Sequence, residues 1–172
     1  GYDYVAAPAS AELLFLRHMP DKALKPYFNI LRTVVLTSRH EMDPDMMVEA
    51  SLKIDVHGNV EHTAAGGFGP VHALDRALRR ALTRWYPELE QMHLIDYKVR
   101  VLSPTRTNIP DAAEENGTGS NVRVLIESSD GVATWTTVGV SYNIIEASLE
   151  ALADAVTYKL YKTEQARWRA EC

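Results

Sequence analysis

Two stretches of the chain, AAGGFGPVHALDRAL from Ala64 to Leu78 and TTVGVSYNIIEASLEAL from Thr136 to Leu152, pass from a strand-like pattern through glycine straight into an amphipathic helix. The order of elements around them repeats as well. In the first half YFNILRTVVLTSR suggests a strand over 28–38, EMDPD a turn at 41–45, and MMVEASLKIDV a second strand. His57-Gly58-Asn59 then supplies left-handed positions for a hairpin into VEHTAA. The helix that follows has Val71, Leu74, Leu78, Ala81, Leu82 and Trp85 at steps of three and four, and Tyr86-Pro87 closes it. In the second half the order is MHLIDYKVRVL, NVRVLIES, a turn at Asp130-Gly131, VATWTTVGV and the helix IIEASLEALADAVTYKLYK.

Subtraction aligns the halves. Leu52 pairs with Leu125, Gly58 with Gly131, Thr63 with Thr136 and Gly66 with Gly139 at an offset of 73, whereas Ala73 with Ala147 and Leu78 with Leu152 stand at 74. This reads as one residue added at the helix entrance of the second copy. Duplication explains the matches better than coincidence. The expected fold class is therefore α+β: two pseudo-symmetric βββα units, about 27–88 and 89–162, within a domain over 27–172. A short helical connector in 1–26 precedes them, ASAELLFLRHM, which Ser10 is placed to cap and Pro20 to stop.

Composition narrows the function. A chain of 172 residues that is 46% hydrophobic buries a real core. Its net charge of -5 offers no basic surface to neutralise phosphates, so a nucleic-acid partner is not expected. The single cysteine, Cys172, rules out an internal disulfide or cysteine metal site and suits a reducing, cytoplasmic setting. No apolar run approaches the ~20 residues of a membrane span, and GYDYVAAPAS does not read as a signal peptide, so a soluble protein without a membrane partner is expected.

Catalytic machinery is not legible. His18, His40, His57, His62, His72 and His93 form no H-x-H or H-E-x-x-H pair, and neither a G-x-S-x-G elbow nor a P-loop occurs. Asp43 with Asp45 and Glu114 with Glu115 fall in turn or loop sequence and read as solvated charge rather than an acid/base pair. The polar segment SPTRTNIPDAAEENGTGS at 103–120 reads as a long loop leaning to disorder. No catalytic and no metal-ligating residue is assigned.

The helix entrances are more informative. A helix N-terminus offers unpartnered N–H groups and a partial positive charge, which stabilise an anion such as a carboxylate. Gly67, Gly69 and Pro70, beside the small Ala64 and Ala65, leave space at the first entrance, which Val138, Val140 and Tyr142 partly fill in the second copy. Two readings stand on these residues alone: a ligand approaches the bare backbone, or Gly66 to Gly69 form a tight turn and a close strand–helix contact, the reading the residues by themselves favour.

GGFGPVHALDRAL, LIDYKVRVL, NVRVLIES and TWTTVGVSYNIIEASLEAL together resemble the C-terminal regulatory, or allosteric dimerisation, domain of the 2-isopropylmalate synthase and citramalate synthase family. The likeness covers nearly the whole chain, and GYDYVAAPASAELLFLR is similar to the segment that precedes this domain in the citramalate-synthase branch. The resemblance implies two βββα units, a homodimer, and attachment through the 1–26 connector to an N-terminal catalytic barrel absent from this sequence. That barrel, with a divalent metal, condenses acetyl-CoA with a 2-oxo acid. The chain is then a regulatory fragment, not an enzyme by itself, and holds no cofactor of its own.

The resemblance also implies a branched-chain amino acid effector, isoleucine before leucine, acting by feedback inhibition. Carried over by position, the effector residues are Gly67, Gly69, Pro70, Val71 and His72 at the helix entrance and Leu94, Asp96, Tyr97 and Val101 on the strand that follows. Helix amides would take the carboxylate, oxygens the ammonium, and aliphatic walls the side chain. Citramalate-type sequences commonly have aspartate after G-P-x where this chain has His72, so Asp96 or Asp75 is the substitute ammonium partner. The alternative is a purely structural dimerisation module with a vestigial pocket.

Overall fold

The structure is a computed structural model that describes residues 1–19, 24–40, 43–102 and 120–171. Its elements are α1 (Pro8–Arg17), β1 (Asn29–His40), β2 (Asp43–Val56), β3 (Asn59–Gly67), α2 (Pro70–Leu82), β4 (His93–Val101), β5 (Val122–Ser129), β6 (Thr134–Ser141) and α3 (Ile144–Glu171), with a 3-10 turn at Pro87–Gln91. Two three-stranded antiparallel sheets, β1-β2-β3 and β4-β5-β6, give an α+β fold of two βββα units. The chain forms two compact bodies: residues 23–92 with 156–172, and residues 1–22 with 93–155. No helix among the described residues is long and apolar enough to cross a membrane. Most of the 103–120 segment, Pro20, Glu41, Met42, Glu114, Glu115 and Cys172 lie outside the described residues.

In the first body, strict alternation on β2 buries Val48, Ala50, Leu52, Ile54 and Val56 against α2, whose Ala73, Leu74, Ala77, Leu78, Ala81 and Leu82 are also buried. The residues between them on β2 face the other way. Helix α2 is shorter than its pattern suggests and ends at Leu82. Asp75 is 5% exposed and paired with Arg79, which also donates to the Met92 carbonyl. The β2–β3 turn has two residues, His57 at φ 52° and Gly58 at φ 85°, the hand that matches strand twist. Asp43, Pro44 and Asp45, expected in a turn, belong instead to β2, and the rest of that expected turn lies outside the described residues.

In the second body residues 144–155 of α3 pack on β6, and α1 lies along β6 as well. Trp135 Nε1–H donates to the Ala155 carbonyl, and Thr137 Oγ1–H to that of Ala151 at 2.8 Å. Ser10 is not the cap of α1. The helix starts at Pro8, which has no N–H to lose, and Ser10 sits buried inside it, donating to Asp154 and accepting the Val138 N–H. Arg17 holds the other Asp154 oxygen at 2.7 Å. Of Leu13, Leu14 and Phe15 in α1 only Leu13 is buried, while Phe15 is largely exposed.

The duplication is real, but its register in the strands is one residue from the sequence alignment. Thr63 pairs with Leu52 and donates to the Ala77 carbonyl; Thr137 pairs with Ile126 and donates to that of Ala151. These partners stand 74 apart throughout, as do Gly69 and Asn143, whose carbonyls accept the N–H of Ala73 and Ala147. No residue is added at the helix entrance. The 73 matches were chance: Leu52 is fully buried, whereas Leu125 belongs to the opposite, half-exposed face, since a slip of one residue exchanges the faces of a strand. A second sign of duplication is invisible in sequence. Bulges interrupt the pairing between Ile30 and Arg32 in β1 and between Leu94 and Asp96 in β4, at equivalent places.

Candidate functional site

Gly67 and Gly69, similar in sequence, do different things. A Cβ on Gly67 would lie 2.5 Å from the Ala73 nitrogen, so this glycine permits close contact between β3 and α2. A Cβ on Gly69 would meet nothing within 4 Å. Gly69 is extended, at φ -162° and ψ 171°, a conformation open to any residue, so neither backbone strain nor packing demands glycine there. It occupies the N-cap of α2 without a side chain to cap it, and Pro70 follows with no N–H. The amides of Val71 and His72 therefore begin the helix beside open space.

His72 closes part of this entrance. Its Nδ1 accepts the Phe68 N–H at 3.2 Å and its ring stacks on Phe68, centroids 5.4 Å apart, while Phe68 itself is 97% exposed. Away from the entrance, along β3, Arg76 donates to the Gly66 carbonyl at 2.8 Å and Arg80 reaches that of Ala64. With Arg79 and Glu49 they border a hollow of about 370 Å³.

The equivalent entrance of α3 is closed by a cap. Asn143 Oδ1 accepts the Ile145 N–H at 2.8 Å, and Ser141 links the Asn143 N–H to the Glu146 carboxylate. The two entrances thus differ by this cap rather than by bulk: Val138 is buried on the face toward α1, and Tyr142 is 71% exposed. Asn143 was missed from sequence although its signal is present, since N-I-I-E before an apolar run has the form of a capping box.

The strand residues do not share one face. Leu94, Tyr97 and Val101 pair with Ser128, Ile126 and Val122, which place them on the α3 side of the sheet. Tyr97 Oη lies 3.2 Å from Ser148 Oγ, which donates to the Ile144 carbonyl in the first turn of α3. Val101 is 62% exposed and Leu94 half-buried. Asp96, opposite Glu127, lies on the other face beyond the bulge. One oxygen accepts the Tyr97 N–H and the other holds Lys98 at 2.5 Å, and this hydrogen bond is the main cause that keeps the Asp96 carboxyl below the ordinary carboxylate range. Asp75 is likewise engaged, by Arg79. The entrance residues 67–72 belong to one body and the four strand residues to the other. The described residues gather no set of three metal-ligating side chains.

Comparison with known proteins fixes the family. A sequence model of the LeuA allosteric (dimerisation) domain matches residues 6–160. The chain belongs to this family. It is 47% identical to an (R)-citramalate synthase of Aquifex aeolicus over 165 residues, covering 96% of the chain and 29% of that protein. An (R)-citramalate synthase of Geobacter sulfurreducens is 44% identical with the same coverage. A 2-isopropylmalate synthase of Aquifex aeolicus is 29% identical over 137 residues, or 80% of the chain. The LeuA-type chain thus spans about three tenths of the length of the curated relatives it matches.

Proposed function

We propose that this LeuA-type domain is the regulatory part of a citramalate synthase. In this reading residues 1–26 lead from a catalytic barrel, the chain homodimerises in the cytoplasm, and a bound branched-chain amino acid, isoleucine before leucine, inhibits the condensation of acetyl-CoA with a 2-oxo acid. The printed names of the relatives support the enzyme class, with (R)-citramalate synthases at 37–47% identity and a 2-isopropylmalate synthase at 29%.

The observation that carries the effector reading is the bare entrance of α2. Its twin in α3 has a side-chain cap, whereas Gly69 leaves the amides of Val71 and His72 to a ligand carboxylate without any packing reason for glycine. Leu94, Tyr97 and Val101 are the proposed walls for the aliphatic side chain. A second reading, a structural module with a vestigial pocket, draws on a specific feature as well: both Asp96 and Asp75 are already paired and His72 accepts from Phe68, leaving no free carboxylate among them for an ammonium.

Thermal unfolding of the chain with L-isoleucine, L-leucine or L-valine separates the two. A ligand at a hundred times its Kd adds about 2.7 kcal/mol to the folded state and raises Tm by several degrees. No shift with any of the three, from a folded dimer, leaves the structural module. In the intact enzyme, deletion of this domain abolishes inhibition, where coupling of ~1–3 kcal/mol gives about a 5–150-fold effect.

A further inference from the structure

The face of the first sheet turned away from α2 carries two cations side by side, flanked by a histidine. Arg32 on β1 pairs in register with Lys53 on β2, and Lys53 with His62 on β3. Arg32 and Lys53, cations directly opposite one another, destabilise the sheet by up to about 1 kcal/mol, and a bound anion relieves that repulsion. Among the described residues none supplies it: neither Arg32 nor Lys53 makes an ion pair, Asp55 and Glu49 on the same face of β2 form no salt bridge with them, and Glu61 points to Arg84 on the opposite face.

One row along, Ser51 lies between Val34 and Ala64, and its Oγ is 2.8 Å from His62 Nε2. These side chains line a hollow of about 370 Å³. When His62 Nε2–H donates to the serine oxygen, the Ser51 hydroxyl hydrogen is left to point at a third group. The hollow then presents a guanidinium, an ammonium and an oriented O–H, with Val34 as its apolar wall. Arginine's fork and lysine's point charge are the usual partners of phosphate oxygens, and the hydroxyl adds a neutral donor.

We propose that Arg32, Lys53 and Ser51, the last oriented by His62, bind the phosphate group of a small phosphorylated molecule on this sheet face. The site is separate from the entrance of α2 and does not depend on the effector reading. It is confined to three strands and suits a single phosphate group rather than a nucleic-acid backbone, in keeping with the net charge of -5.

Titration calorimetry of the chain with inorganic phosphate, glycerol 3-phosphate and acetate, at matched ionic strength, tests this. Phosphate and its ester bind saturably and acetate does not. Equal affinities assign the site to the phosphate group alone, and a tighter ester assigns it to a phosphomonoester whose carbon body lies on Val34. Arg32→Gln and Lys53→Gln each weaken binding about tenfold or more, and Ser51→Ala by a few-fold. These three positions are exposed or half-buried, and unchanged Tm values in ligand-free buffer verify that each variant is folded. The proposal is overturned if no saturable phosphate binding occurs, or if the two charge variants bind as the parent does. It is also overturned if those variants alter dimer dissociation while phosphate fails to bind, which would assign the cations to a carboxylate of a second copy.

Discussion

Replacing Gly139 by alanine tests the close approach of β6 and α3 at its tightest point. A Cβ there would lie 2.0 Å from the Ala147 carbonyl oxygen, 2.9 Å from its carbon and 3.1 Å from the Ala151 nitrogen, all helix backbone with no rotamer to turn aside. The strand and helix must therefore separate, loosening the Thr137 and Trp135 hydrogen bonds to the Ala151 and Ala155 carbonyls. Overpacking of this kind costs about 3 kcal/mol, the upper part of its usual span because the obstacle is main chain. In a chain of this length each kcal/mol moves Tm by roughly 2–4 °C, which gives a fall of about 6–12 °C. Urea unfolding followed by tryptophan fluorescence measures it, with Trp135 beside the altered contact. Gly69→Ala is the control, since open space surrounds that position, and it costs no more than about 1 kcal/mol, the N-cap preference for glycine over alanine. A Gly139→Ala chain as stable as the parent, or a Gly69→Ala chain as unstable as Gly139→Ala, would refute the reasoning.

Installing a cap on α2 by Gly69→Ser raises ligand-free stability by a few tenths of a kcal/mol and weakens effector binding, because the serine oxygen takes the amide offered to the carboxylate; parallel Tm and calorimetric measurements show both changes. Asn143→Ala removes the existing cap of α3 and costs about 1 kcal/mol in urea unfolding. Asp154→Ala strips Ser10 and Arg17 of their common acceptor and loosens α1, lowering stability by about 1.5–3 kcal/mol, with faster amide exchange in residues 8–17 as the local readout. Burial first, and then the neighbouring carboxylates of Glu150 and Glu164, push the phenols of Tyr2 and Tyr27 above their ordinary range. The folded state thus keeps protons that the unfolded chain releases near pH 10, so their contribution is present below that pH and is lost as pH rises beyond it. Tyr2→Phe with Tyr27→Phe flattens this alkaline decline in a pH series of Tm.

The fold was legible because periodicity reports burial. Val48 to Val56 alternate, Leu74, Leu78 and Leu82 recur at helical spacing, and both hairpins carry left-handed residues where the chain reverses. The strand offset was misread for an equally physical reason: glycines at 58 and 131 suggest equivalence, yet the two turns differ in length, and side-chain orientation is decided by pairing. The bulges at Ile30 and Leu94 leave no mark in residue type and were beyond reach. The candidate site was legible only in part. Proximity in sequence gathers Gly67 to His72, but nothing local distinguishes Gly67, needed for contact, from Gly69, which is not, and only the bulge puts Leu94 on the face of Tyr97 while Asp96 stays on the other.

The two arginines on α2 that reach the carbonyls of Ala64 and Gly66 have a consequence for association. Those carbonyls belong to the outer side of β3, an edge strand, and a free edge invites a further strand from another chain. With Arg76 and Arg80 bound there, an incoming strand must strip off two guanidinium groups and bring acceptors against their charge. Open-ended sheet growth is thereby discouraged along β3, and a domain whose family is defined by pairing is steered toward closed assemblies rather than fibres.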